Sequence, residues 1–210
     1  TIKGANNFGV QIKNTTVTSL TNAGTVTSTS GDGFAFNAGN TVTAFTNTGT
    51  ITGGTKDIDN NGTITTFNND QGGNDTLNYD GPVPTNYNVI LNSTSDFGKI
   101  DFSNESGSLT FGIDSSSTLA ANTYSAVLQN IAEGNIGNEA TWTNYNSTFK
   151  WRLVENGSDW DLEIANRRTG YKVRITKTRF SAIASVLENI NTNGTMSTLT
   201  SNLDSLSDTA

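Results

Sequence analysis

The chain has 210 residues, 33% of them hydrophobic and only 15% charged, with a formal net charge of -7. That balance excludes a charge-laced helical bundle and a highly charged disordered tail, and the acidic sign argues against nucleic acid as a partner. Cysteine and histidine are both absent, which excludes disulfide stapling, thiolate or imidazole metal sites, a Cys nucleophile and a His-based triad.

The first residues, Thr1 to Asn7, carry no signal-peptide pattern and read like the middle of a repeat. The chain is therefore expected to be cut from a longer polypeptide. No apolar run approaches the roughly 18 residues of a membrane helix. A phrase then recurs: Asn22-Ala23-Gly24-Thr25-Val26-Thr27, Asn47-Thr48-Gly49-Thr50-Ile51-Thr52, and loosely Asn60-Asn61-Gly62-Thr63-Ile64-Thr65. Each copy is a turn signal followed at once by a β-branched strand signal. Val17 to Val42 is 25 positions and Val42 to Ile64 is 22, a period in the range of stacked supersecondary units.

Each unit holds three short strand-like stretches and no helical periodicity, which describes one coil of a parallel β-helix. Val10, Ile12, Val17, Leu20, Val26, Phe34, Phe36, Val42, Phe45, Ile51, Ile58, Ile64 and Phe67 are the expected inward set. Val17/Val42/Ile64 and Leu20/Phe45/Phe67 should stack in register. Asn-x-Gly is expected to supply a corner with positive φ, and Thr-Val/Ile-Thr the next face. Asn22, Asn47 and Asn69 align at one corner, where their amides could form a hydrogen-bonded ladder or merely tolerate a turn.

After Gly73 the texture changes. Gly72–Leu77, "GGNDTL", is similar to a calcium-binding nonapeptide, but only one imperfect copy is present, and a turn closing the last coil explains it better. Stronger strands follow the only two prolines, Pro82 and Pro84, and all three tryptophans lie beyond them. A solenoid ends on an exposed apolar coil and needs a cap, and this aromatic stretch is a natural one. Trp142, Trp151, Trp160 and Tyr124 are its expected core. The reading divides the chain into coils over 1–73, a β cap over 74–178 and a helical tail over 179–210. In the tail, Phe180, Ile183, Ala184, Leu187 and Ile190 fall at helical spacing, as do Met196, Leu199, Leu203 and Leu206.

The order of Asn-Gly-Thr coils, then "YNVILNSTSDFGKIDFS", "GSLTFGIDSSSTLAANTYSAVLQNI" and "WRLVENGSDWDLEIA", resembles the C-terminal end of a bacterial autotransporter (type V secretion) passenger. The resemblance covers most of 16–210. It implies a right-handed parallel β-helix whose cap, an autochaperone, helps nucleate folding outside the cell. It also implies a Gram-negative cell-surface or secreted location, and a C-terminal β-barrel partner absent from this chain. A host or cell-surface ligand would be bound by upstream residues. Six of the 12 basic residues crowd into 167–179 with no acid between them. Arg167, Arg168, Lys172 and Arg174 are the candidates to meet lipopolysaccharide phosphates, and a charge-protected edge strand is the alternative.

No cofactor or metal site is expected. A β-helical carbohydrate-active enzyme would need carboxylates stacked over several coils. Asp57 and Asp59 share a face, but the aligned Ala35, Asn37, Gln11 and Lys13 are not acidic. The expected function is a non-enzymatic stalk, with an enzyme or a ligand-binding adhesin as the rivals.

Overall fold

The computed structural model describes residues 1–4, 7–73, 75–138 and 141–167. The expected tail helix, and Arg168, Lys172 and Arg174, lie outside the described residues. The chain divides into two compact units, Thr1–Thr143 with Trp151–Ala165, and Asn144–Lys150 with Asn166–Ala210.

The first unit is an all-β solenoid of about five stacked coils. The first coil contains β1 (Ile2–Gly4), β2 (Phe8–Ile12) and β3 (Thr16–Asn22). The second contains β4 (Thr25–Ser28), β5 (Asp32–Phe36) and β6 (Thr41–Asn47), and the third β7 (Thr50–Thr52), β8 (Ile58–Asn60) and β9 (Thr63–Asn69). Later coils keep only two faces: β10 (Leu77–Pro82) with β11 (Asn86–Val89), then β12 (Ile100–Ser106) with β13 (Thr110–Ile113). After β14 (Asn122–Gln129) come a 3-10 turn (Glu133–Asn135), β15 (Thr143–Asn144), β16 (Phe149–Asn156) and β17 (Asp159–Asn166).

Among the described residues these strands form three sheets. The three-stranded one runs β1-β4-β7 and the five-stranded one β13-β11-β9-β6-β3. The nine-stranded one runs β15-β16-β17-β14-β12-β10-β8-β5-β2. Pairing between coils is parallel, with Val17 opposite Val42 and Val42 opposite Ile64, and with Leu20, Phe45 and Phe67 in a second column. The parallel stack continues through β14, which pairs with β12. The change of texture at Gly73 is therefore a change in coil make-up and not the end of the coils, because Tyr79 still pairs with Ile58 and Tyr87 with Phe67.

Like residues stack because each coil repeats the inward positions of the last. Phe45 lies on Phe67 with ring centroids 4.8 Å apart and planes within 9°. The aromatic column continues through Tyr87 and Phe111 to Trp151 of β16. Burying each such side chain contributes roughly 1.5–3 kcal/mol before entropy is charged. In the first coil Val10, Ile12, Val17 and Leu20 are only half-buried, whereas Val42, Phe45, Ile51 and Ile58 are fully buried.

Gly24, Gly49 and Gly62 do not adopt positive φ, contrary to the corner geometry expected from Asn-x-Gly. At Gly49 the reason for glycine is proximity. A Cβ there would stand 2.0 Å from the Gly24 carbonyl oxygen of the coil above. The asparagine makes the turn itself, since Asn22 Oδ1 accepts the Gly24 N–H and Asn60 Oδ1 the Gly62 N–H. The Asn60 copy of the phrase also turns a different corner, between β8 and β9.

Candidate functional site

The candidate site is the column of buried amides along one corner, together with the groups that close the C-terminal end. Asn22, Asn47 and Asn69 occupy the last position of β3, β6 and β9 and pair in register. Asn22 Nδ2 donates to Asn47 Oδ1 at 2.8 Å, and Asn47 Nδ2 donates to Asn69 Oδ1 at 3.1 Å. Asn69 Nδ2 passes on to the Gln71 carbonyl at 2.9 Å. The column is directional, each amide giving its protons toward the C-terminal end. All three side chains are buried, so each unmade bond would carry a full desolvation cost.

Gln71 ends one sheet. Its Oε1 accepts the Ile51 N–H at 2.7 Å and its Nε2 donates to the Ile51 carbonyl at 2.9 Å. A side-chain amide carries one donor group and one acceptor like a peptide, so it can stand in for the next strand. Without it, the edge of β7 would leave two buried backbone groups unpaired. Asn138 does the same for the five-stranded sheet. It accepts from Phe111 N–H and donates to Phe111 C=O, both at 2.8 Å. Neither plug was expected from the sequence. The sequence carries no signal for them, since both stand among other amide residues, Asn68 and Asn69 before Gln71 and Asn135 before Asn138.

The third sheet ends differently. β17 pairs antiparallel with β14, Leu128 facing Trp160 and Tyr124 facing Leu162. Only Gly157 and Ser158 join β16 to β17, with Gly157 at φ 72° where a left-handed turn is needed. Trp151, Trp160 and Tyr124 are buried, and the Trp160 Nε1–H donates to the Ile131 carbonyl at 3.2 Å. Trp142 is not in this core. It is half-exposed, with the Arg152 guanidinium 4.7 Å from its ring centroid. Arg152 is held there by a 2.7 Å ion pair with Glu163, which gives Trp142 a charged neighbour where a core position would have an apolar one.

The outer face of the nine-stranded sheet carries the carboxylates. Asp59 lies in register with Asp80 across two coils, a match that alignment by the Asn-Gly phrase did not bring out. Burial and then the Asp59 charge raise the pKa of Asp32, and burial and then Asp80 raise that of Asp59. At Asp80 burial alone would act upward. Hydrogen bonds from Ser103 and Asn104 and the nearby Lys56 outweigh it, and the net shift is downward. Asp57 is buried and bridges coils, accepting the Gly53 N–H at 2.9 Å and the Asn78 N–H at 2.8 Å. Burial pushes its pKa up. Among the described residues no cluster of three or more His, Cys, Asp or Glu could hold a metal ion. In the calcium-like stretch the Asp75 N–H bonds to the Gly72 carbonyl at 3.1 Å, closing a turn.

In the second unit, Arg167 Nη1 donates to the Asn146 carbonyl at 2.8 Å and its N–H to the Thr148 carbonyl at 2.6 Å. Arg167 is the one described member of the basic segment.

These features define a β-solenoid whose three-stranded sheet is closed at the third coil by the Gln71 amide and whose other two sheets are closed by the Asn138 amide and an aromatic hairpin. Comparison with protein-family models, with curated proteins and with solved structures finds no match to this chain.

Proposed function

We propose that this chain is a non-enzymatic stalk from the C-terminal part of an autotransporter passenger, displayed on or released from a Gram-negative surface. Its closed end nucleates folding as the polypeptide emerges through its own β-barrel. The observation that carries this reading is how the three sheets close at their C-terminal edges, which end on Gln71, Asn138 and the β16–β17 hairpin. A stack held by nearest neighbours needs one sealed end from which coils can be added. The basic segment would then lie against lipopolysaccharide phosphates, and any adhesive contact with a host or cell-surface ligand would belong to upstream coils.

Pulse-labelled hydrogen exchange during refolding tests the nucleation. Amides of β12, β14 and β17 should gain protection before those of β2 and β3. Simultaneous protection, or the reverse order, would contradict it. Replacing Arg167, Arg168, Lys172 and Arg174 by Gln should weaken binding to lipopolysaccharide vesicles, and equal binding by parent and variant would leave the segment as a protected edge.

A second reading, a carbohydrate-active enzyme, is favoured by one observation, the carboxylates of Asp59 and Asp80 in register on an outer face. Release of reducing ends from a polysaccharide by the parent but not by Asp59→Asn would establish it.

A further inference from the structure

The five-stranded sheet differs from the rest of the surface in one respect: its strands β3, β6, β9, β11 and β13 contain no charged residue. The neighbouring nine-stranded sheet carries Asp32, Asp59, Asp80, Asp101, Arg152 and Glu163 among others. On the uncharged face, Thr16, Thr41 and Thr63 pair across three coils. Thr18, Thr43 and Thr65 form a second column, between the paired Val17/Val42/Ile64 and Ser19/Ala44/Thr66 columns. Thr16, Thr18, Thr43 and Thr63 are exposed, and Thr41 and Thr65 are half-buried. The sheet's four aromatic side chains, Phe45, Phe67, Tyr87 and Phe111, all point inward and are buried. No ring is offered to stack on a sugar.

We propose that this face binds the surface of ice. A threonine hydroxyl holds a water by hydrogen bonding while its methyl restricts the orientation of the waters beside it. In register, these pairs form a grid of about 4.8 Å between coils and about 6.6 Å between alternate residues of a strand. Both distances are of the size of oxygen repeats along ice surfaces. A charged side chain would impose its own hydration shell on such a layer, and these five strands have none. Six threonines fixed on stacked strands present the grid without an ordering cost at the moment of binding.

The test uses the 210-residue protein in ice recrystallisation and thermal hysteresis measurements. The parent should inhibit recrystallisation and hold ice growth below the melting point. Thr43→Lys, at the middle of the grid, should abolish this, and Thr52→Lys, on the three-stranded sheet, should leave it intact. Circular dichroism and melting curves of both variants separate a lost surface from a lost fold. Absence of any effect in the parent overturns the proposal, as does equal loss in both folded variants. Retention on crystalline cellulose or chitin with no effect on ice would also overturn it, in favour of a polysaccharide surface.

Discussion

The first and last coils are built from the same kinds of strand and end in opposite ways. In the first, Val10, Ile12, Val17 and Leu20 are half-buried and Ile2 is 51% exposed, so apolar area that a neighbouring coil would cover stays open. At the other end Leu128, Leu153, Leu162 and Trp160 are buried, and the Asn138 amide completes the edge of the five-stranded sheet, as Gln71 does for the three-stranded sheet two coils earlier. In a stack each coil is stabilised by its neighbours, so the sealed end should be the most stable part and the open coil the least.

The largest effect that would break this contrast is loss of Trp151, which packs edge-on against Phe111 at 5.4 Å. Trp151→Ala should cost roughly 3–5 kcal/mol in urea unfolding. A change below about 1 kcal/mol would show that the hairpin is not core. Gln71→Leu comes next. It keeps the volume but strands the N–H and C=O of Ile51, with an expected cost of roughly 1–3 kcal/mol for each group. An unchanged unfolding midpoint would mean that water replaces the plug.

The amide column sharpens the comparison, because its members hold different places in it. Asn47 stands between two amides whereas Asn22 heads the column. Asn47→Ala should therefore cost roughly 1–3 kcal/mol in denaturant unfolding, and Asn22→Ala less. Equal costs would deny the column its direction.

The smallest effect is electrostatic. Asp32, Asp57, Asp59 and Asp70 all have pKa values raised above 3.8, burial being the first cause in each. As pH falls from neutrality through these raised values, the folded state takes up protons that the unfolded state does not yet bind. Stability should rise and reach its full gain near the unfolded value. Asp80 is shifted the other way, and its contribution is lost only below 3.8. Melting temperature should thus increase between pH 7 and about pH 4.5, and Asp59→Asn should flatten that increase. A melting temperature that falls steadily over this range would contradict the assignment.

Much of the coil register was legible. Val17, Val42 and Ile64 repeat with their flanking threonines, and the aligned asparagines fell at one corner because the same spacing set both. The later coils were harder to read. They drop the Asn-Gly-Thr phrase and one whole face, so Tyr79 and Tyr87 looked like the start of a separate cap. Gln71 and Asn138 were invisible because their role depends on an edge that exists only once the sheets are assembled. Trp142 was misplaced because a tryptophan's size does not say whether the loop that carries it reaches the core, and here it precedes β15 with Arg152, paired to Glu163, beside its ring. The glycine corners were assigned the right residues for the wrong reason. A close approach between coils, not a positive φ, is what excludes a side chain at Gly49.

Native-state hydrogen exchange on the intact chain tests the central claim most directly. Sealing at one end predicts that amides in β10, β12, β14 and β17 exchange only through global unfolding, while those in β2 and β3 open at distinctly lower free energy. Uniform protection along the solenoid, or greater protection in the first coil, would contradict it.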